Sequence, residues 1–179
     1  MVIEVLRLNH RIGRDARVST HVALTARALC SSKIYYSGQK DNNMEKSINK
    51  ITEKFGGPFE IEYLEDPKSL LEQKKKQGFL IAHLTMYGKD FISSKNNIKN
   101  RNLLIIVGGE KVEYDFYNIA DFNFSVTNQP ISEVSALGIF LYEIFGYKEN
   151  FKNAKLQVVG MKKGKLLKQL WYKMINENN

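Results

Sequence analysis

The chain of 179 residues contains one cysteine, Cys30, and three histidines. A single thiol can form neither a disulfide within the chain nor a cluster of thiolate metal ligands, and it suits a reducing compartment. His10, His21 and His83 do not have the spacing of a metal site, so no metal is expected. No apolar run is long enough to cross a bilayer, and the amino terminus lacks a signal-peptide core. These absences predict a cytoplasmic protein that is not bound to a membrane.

Negative charge is outnumbered by positive charge. The chain has 27 lysines and arginines against 19 acidic residues, which gives a formal net charge of +8 and a pI of about 9.4. Such an excess of positive charge indicates a polyanionic partner such as nucleic acid. The alternative is a soluble protein whose surface is simply rich in lysine.

Arginine is rare outside the amino terminus, where five of the six arginines precede residue 28. The segment "RLNHRIGRDARVSTH" contains Arg7, Arg11, Arg14 and Arg17. A guanidinium group is planar, offers several N–H donors and keeps its charge, which suits phosphates and carboxylates. We expect Arg7 to end the first strand and to serve the structure. Asn9, Gly13 and Asp15 predict a loop that brings the other three arginines together around an anion.

Linker-like proline or serine runs, repeats and low-complexity segments are missing, so we expect a single domain over residues 1–179 with a basic extension at 151–179. Short apolar runs alternate with amphipathic stretches, which predicts an α/β fold with a mainly parallel sheet flanked by helices. The predicted strands cover residues 2–8, 33–36, 58–64, 79–85, 102–109, 122–127 and 155–159. The predicted helices cover residues 19–30, 41–57, 66–78, 116–120, 132–146 and 165–175, the first of them capped by Ser19 or Thr20.

Three loops that follow predicted strands carry small or polar residues: "HLTMYG", "VGGEKV" and "VTNQPISE". In open parallel sheets, ligands bind at the carboxyl ends of the strands. Paired glycines let a ligand approach the backbone, and a helix start offers free N–H groups. Each loop alone is also typical of a simple tight turn. Together they predict a shared small-molecule pocket.

The remaining candidates are weaker. Cys30 falls in an apolar helix, which favours a place in the core over a nucleophile. Four lysines near the carboxyl terminus either contact a phosphate backbone or simply carry surface charge. They are Lys162, Lys163, Lys165 and Lys168.

The stretches "VLRLNHRIGRDARVSTHVALTARAL", "HLTMYG", "IIVGGEKV" and "VTNQPISEVSAL" resemble the characteristic motifs of the archaeal tRNA (cytidine-56) ribose 2'-O-methyltransferases, members of the SPOUT class. The resemblance extends from residue 2 to about residue 160. It implies an α/β fold with a deep C-terminal trefoil knot, a homodimer, and S-adenosylmethionine as cofactor. The implied activity is methylation of the ribose of cytidine 56 in the T loop of tRNA.

The resemblance also implies a set of cofactor-binding residues in the three loops. The chain differs from the family's pattern at Val126, Thr127 and Ile131; the difference at Ile131 argues against an essential side chain there, and Thr127 narrows the pocket. The implied cofactor residues are Leu84, Gly108, Gly109, Glu110, Lys111, Val112, Val126, Thr127, Asn128, Gln129, Pro130, Ile131, Ser132 and Glu133.

In related knotted enzymes an arginine near the amino-terminal motif is assigned the activating role. The resemblance therefore suggests Arg17, followed by Arg14 and Arg11, as the residues that clamp the adjacent phosphate and polarise the ribose hydroxyl. His21, one helical turn from Arg17, is a candidate proton acceptor, with a capping or core role as the alternative. The implied chemistry requires no metal.

Two other functions remain open at this point. A sister SPOUT enzyme would act on another RNA nucleotide, and mapping the modified nucleotide would distinguish it. A non-catalytic RNA-binding module would hold no cofactor, so a titration with S-adenosylmethionine would distinguish that alternative.

Overall fold

The computed structural model describes residues 1–109, 111–147 and 151–170. Its centre is a six-stranded sheet with the strand order β3-β2-β1-β5-β4-β6. Every neighbouring pair of strands runs parallel, which confirms the predicted α/β architecture. The strands are β1 (Ile3–His10), β2 (Lys33–Gly38), β3 (Glu60–Leu64), β4 (Leu80–Asp90), β5 (Leu103–Gly108) and β6 (Phe122–Ser125).

Helices cover both faces of this sheet and create two cores. The helices are α1 (Ile12–Ala28), α2 (Asn42–Phe55), α3 (Pro67–Lys76), α4 (Lys95–Ile98), α5 (Tyr114–Ile119) and α6 (Glu133–Phe145). Residues of α1, α2, α4 and α6 pack in one core, and residues of α3 and α5 pack in the other. Strand β5 contributes alternate side chains to the two cores. This double burial explains its uninterrupted apolar sequence.

Three of the predicted helices begin at a residue whose side chain caps the helix. Asp41 accepts hydrogen bonds from the N–H groups of Asn43 and Met44 at the start of α2. Asp66 caps α3, and Ser132 accepts a hydrogen bond from Val134 N–H at the start of α6. Such side-chain acceptors satisfy N–H groups that have no partner within the helix.

The predicted loop after Arg7 and the predicted helix start at Ser19 are both wrong. Strand β1 continues to His10, and α1 begins at Ile12, so Arg14 and Arg17 lie on a helix. The side chain of Arg11, the N-cap residue, forms no capping hydrogen bond. Instead, the side-chain carbonyl of Gln39, from another part of the chain, accepts a hydrogen bond from Ile12 N–H at 2.8 Å. Helix α1 ends at Ala28, so Cys30 follows it, half-buried and with a φ of 74°.

The basic helix predicted over 165–175 is wrong for residues 166–169. There the chain forms β8 (Leu166–Gln169), which pairs antiparallel with β7 (Leu156–Val159). Gly164, in the left-handed conformation (φ 92°), helps the chain to reverse between the two strands. Pairing with β7 overrides the helical spacing of the leucines, and residues 171–175 lie outside the described residues.

The β7–β8 hairpin is attached beside the end of α2. Gly57 and Lys152 exchange backbone hydrogen bonds of 2.9 and 3.1 Å, and Lys155 N–H donates to the carbonyl oxygen of Lys54 at 2.9 Å. Among the described residues, no helix is both long enough and apolar enough to cross a membrane.

Candidate functional site

The carboxyl ends of β4, β5 and β6 surround a cavity of about 360 Å³, within the usual range of ligand pockets. The three loops predicted from the sequence therefore meet at one place. The residues that line this cavity are His83, Leu84, Thr85, Met86, Tyr87, Gly108, Gly109, Val112, Tyr117, Val126, Thr127, Pro130, Ile131, Glu133 and Ala136.

Nine of the residues expected to bind a cofactor line the cavity. Lys111, Asn128, Gln129 and Ser132 do not line it, and Glu110 lies outside the described residues. The nine that do are Leu84, Gly108, Gly109, Val112, Val126, Thr127, Pro130, Ile131 and Glu133.

One wall of the cavity is an interruption in β4. Phe124 of β6 pairs with both Leu84 and Lys89, so the four residues between them, 85–88, project from the sheet. We call this segment the β4 bulge. The polar and small residues of "HLTMYG" predicted a pocket loop here, but Leu84 is the one residue of this stretch that was expected to bind the cofactor.

Asn128 holds the β4 bulge although it does not line the cavity. Its side-chain Nδ2 donates to the carbonyl oxygens of Met86, at 2.6 Å, and Gly88, at 3.2 Å. The loop after β6 thereby fixes the backbone that forms the opposite wall. Asn128 is accordingly a positioning residue in this structure.

The last residue of β5, Gly108, and the next residue, Gly109, leave space that side chains would occupy. A Cβ atom on Gly108 would lie 2.3 Å from Cγ2 of Val112, and one on Gly109 would lie 3.5 Å from Oε1 of Glu133. Real Cβ atoms do not approach other atoms as closely as the first distance, so alanine at position 108 would force Val112 to move. Because Val112 lines the cavity, a side chain at position 108 would alter the cavity wall.

Arg7 and Glu133 form an ion pair at the edge of the cavity. Nε of Arg7 lies 3.1 Å from Oε2 of Glu133, and the Arg7 side chain is only 2% exposed. Burial raises the pKa of Glu133, although the charge of Arg7 acts in the opposite direction. Burial likewise lowers the pKa of Arg7. Arg7 was expected to end the first strand, but β1 continues to His10. The side chain of Arg7 links β1 to the start of α6.

His83 lies in the cavity wall as a neutral base. Nδ2 of Asn123 donates to the Tyr117 carbonyl oxygen, so Oδ1 of Asn123 faces Nδ1 of His83 at 3.0 Å. A carbonyl oxygen can only accept, which places the His83 proton on Nδ1. Burial lowers the pKa of His83. Among the described residues nothing hydrogen-bonds to its Nε2, which is therefore available as an acceptor.

A second depression, of about 410 Å³, adjoins the cavity and shares Gly109 with it. Arg11 and Arg14 both line it and both are exposed. Arg11 contacts Asp15 at 2.8 Å, and this hydrogen bond holds the pKa of Asp15 below its ordinary value. The full lining is Asn9, His10, Arg11, Arg14, Gly38, Gln39, Gly109 and Lys111.

Arg17 and His21, the other two expected catalytic residues, do not line the depression that contains Arg11 and Arg14. Arg17 and His21 line a shallower depression between α1 and the start of α2, beside Asp41. The predicted cluster of Arg11, Arg14 and Arg17 is thus divided between two surfaces of the described chain. A loop would have allowed them to converge, whereas α1 fixes their directions.

Buried His10 supports the wall between these two depressions. Its Nε2 lies 3.3 Å from Oδ2 of Asp41, and its Nδ1 lies 2.9 Å from Oγ of Ser19. These contacts connect the end of β1 with α1 and with the cap of α2. His10 therefore helps to fix where α1 presents its arginines.

The comparisons with known proteins agree on one family of enzymes. A family model described as tRNA ribose 2'-O-methyltransferase, aTrm56, matches residues 55–168. The tRNA (cytidine(56)-2'-O)-methyltransferase of Methanosphaera stadtmanae is 46% identical over 163 residues, covering 88% of this chain and 93% of its own. The protein of the same name from Thermococcus kodakarensis is 44% identical over 177 residues, covering 94% and 98%.

Solved structures show the same type of fold. The A. aeolicus TrmH/SpoU tRNA modifying enzyme has a TM-score of 0.62 at 20% identity, covering 79% of this chain and 73% of its own. The SpoU methyltransferase AviRb from Streptomyces viridochromogenes, in complex with AdoMet, has a TM-score of 0.63 at 15% identity, covering 80% and 57%. The chain thus has the fold of these SpoU methyltransferases.

Proposed function

This chain belongs to the family of tRNA ribose 2'-O-methyltransferases of the aTrm56 type, and from that premise we propose that it methylates the 2'-oxygen of cytidine 56 in tRNA with S-adenosylmethionine as the methyl donor. The observation that carries the proposal is the junction at Gly109. At Gly109 two sites adjoin each other. One is the cavity lined by Gly108 and Gly109, which suits a small molecule, and the other is the depression lined by Arg11 and Arg14, which suits a phosphate. A methyl donor and an RNA ribose can therefore meet at one residue.

The cavity fits S-adenosylmethionine in size and in chemistry. Its apolar side chains suit the adenine ring and the methionine chain, and the carboxylate of Glu133 suits a ligand hydroxyl or cation. Nε2 of His83 is available to accept a hydrogen bond from the ligand. When bound, the cofactor supplies a methyl group on a positively charged sulfur. The apolar side chains are Leu84, Met86, Val112, Val126, Pro130, Ile131 and Ala136.

The arginine-lined depression is proposed to hold the ribose and its phosphate. Arg11 and Arg14 would bind the phosphate and fix the 2'-hydroxyl toward Gly109, and such positioning supplies much of the rate in a transfer reaction. As the new oxygen–carbon bond forms, the bond between the methyl carbon and the donor sulfur would break and the hydroxyl proton would pass to solvent. Arg17 and His21, on the neighbouring surface of α1, remain predicted catalytic residues.

The first test measures where the methyl group goes. We expect the protein to transfer a methyl group from labelled S-adenosylmethionine to a tRNA transcript that has cytidine at position 56. A transcript whose cytidine 56 already carries a 2'-O-methyl group is the matched control and should take up no label. Labelling of the control would move the site to another nucleotide, as a sister enzyme requires. Failure to bind S-adenosylmethionine in calorimetry would favour a non-catalytic RNA-binding protein.

The second test separates the two arginine surfaces. Arg14→Lys keeps the charge but removes the planar fork, so we expect turnover to fall about 100-fold while cofactor affinity is retained. Arg17→Lys, on the same helix, is the matched variant, and we expect a smaller loss. If Arg17→Lys alone abolished turnover, the depression beside Gly109 would not be the ribose site.

We also propose that residues 1–179 form a single domain and that the protein is a homodimer. Helices α1 and α6 pack against each other, and both expose large apolar side chains, a feature typical of interaction surfaces. A reducing, cytoplasmic setting is proposed from the single cysteine, and the trefoil knot and the lack of a metal requirement stay predictions of the resemblance. The exposed apolar residues are Ile12 and Val18 on α1 and Ile139 and Tyr142 on α6.

A further inference from the structure

The β7–β8 hairpin is strongly and uniformly positive. Residues 151–170 contain six lysines and no aspartate or glutamate. Lys155 contacts Glu53, but four lysines at the tip and along β8 have no acidic partner within the described part of the chain. These four are Lys162, Lys163, Lys165 and Lys168, and all are exposed.

Nothing in the described chain covers β8. All four of its residues are exposed, so both faces of the strand are accessible. Leu166 and Leu167 present apolar side chains beside the lysines. Exposed lysines are the side chains that bind a nucleic acid through its phosphates.

The hairpin is attached at the end of the sheet opposite the cavity. It is joined to Lys54 and Gly57, just before β3 begins, whereas the cavity lies where β4, β5 and β6 end. Because the strands run parallel, these places are separated by roughly the length of a six-residue strand, about 20 Å. A ligand that contacts both places must therefore be a large one, as a folded RNA is.

We propose that the β7–β8 hairpin binds the phosphate backbone of the tRNA substrate at a place separate from the methylated nucleotide. The choice of tRNA as the polyanion rests on the proposed function. The uniform charge argues against a second copy of the chain as the occupant, since two such hairpins repel each other. The hairpin thus contributes affinity for the substrate without touching the cofactor.

The test compares two variants that each lose two lysines. In Lys163→Gln/Lys165→Gln the charge is removed from the hairpin, and in Lys76→Gln/Lys99→Gln it is removed from exposed positions elsewhere. The tRNA dissociation constant is measured at several potassium chloride concentrations. We expect the hairpin variant to bind tRNA about tenfold more weakly near 0.1 M salt. Its logarithmic salt slope should fall by roughly 0.7 to 0.9 for each lost phosphate contact.

The control variant should keep the affinity and slope of the unmodified protein, and both variants should keep its affinity for S-adenosylmethionine. Equal slopes in the two variants would overturn the proposal. A changed sedimentation coefficient of the hairpin variant with an unchanged slope would also overturn it and would assign the hairpin to self-association. Methylation of cytidine 56 by the unmodified protein is measured separately, so failure of this proposal is distinct from failure of the proposed function.

Discussion

Gly88→Ala is expected to destabilise the protein by about 3 kcal/mol or more and to abolish cofactor binding. A Cβ atom at this position would lie 2.5 Å from the backbone carbon of Phe124 and 2.6 Å from the backbone carbon and oxygen of Asn123. These are backbone atoms of β6, which cannot rotate away as a side chain would. The β4 bulge must therefore separate from β6, and the cavity wall formed by residues 85–88 moves with it.

Thermal unfolding and calorimetric titration with S-adenosylmethionine measure the two parts of this prediction. For a chain of this length the loss corresponds to a fall in Tm of roughly 6 to 12 °C. Gly160→Ala is the control, since a Cβ atom there meets nothing within 4 Å. We expect that variant to unfold and to bind cofactor as the unmodified protein does. Equal behaviour of the two variants would mean that the bulge is not held tightly against β6.

Most of the fold could be predicted because its signals are local. Asp41, Asp66 and Ser132 each cap the helix that follows them, and the apolar run of β5 is long enough to identify a strand covered on both faces. The start of α1 could not be found in this way. Its first N–H group is capped by Gln39, which comes close only after β1 and β2 have paired.

Only the part of the site that is built from strand ends could be predicted from the sequence. Ligands bind at the carboxyl ends of parallel strands, and this rule predicted the cavity from the three loops that follow those strands. It could not find Tyr117 or Ala136, which belong to helices α5 and α6 and reach the cavity through packing. Nor could it show that Arg7 pairs with Glu133, since the two residues are 126 positions apart in the sequence.

The Arg7–Glu133 pair leads to the second large effect. Arg7→Met is expected to lower the free energy of unfolding by about 3 kcal/mol near neutral pH, because it leaves the Glu133 carboxylate without its counter-charge at the edge of the core. Arg7→Met/Glu133→Gln should recover much of that loss, since no buried charge remains unpaired. Urea unfolding of the unmodified protein, both single variants and the double variant completes the cycle.

The pH dependence of this loss has a definite sign. Burial already raises the pKa of Glu133 above its ordinary value of 4.5, and removal of Arg7 takes away the charge that lowers it. A carboxyl whose pKa is raised by folding stabilises the folded state while it is protonated and loses that contribution as pH rises through the folded pKa. The deficit of Arg7→Met relative to the unmodified protein should therefore be smallest near pH 4 and should grow as the pH rises. In the Glu133→Gln background the deficit should not vary with pH, and a deficit that varied equally in both backgrounds would assign the effect to another carboxyl such as Asp15.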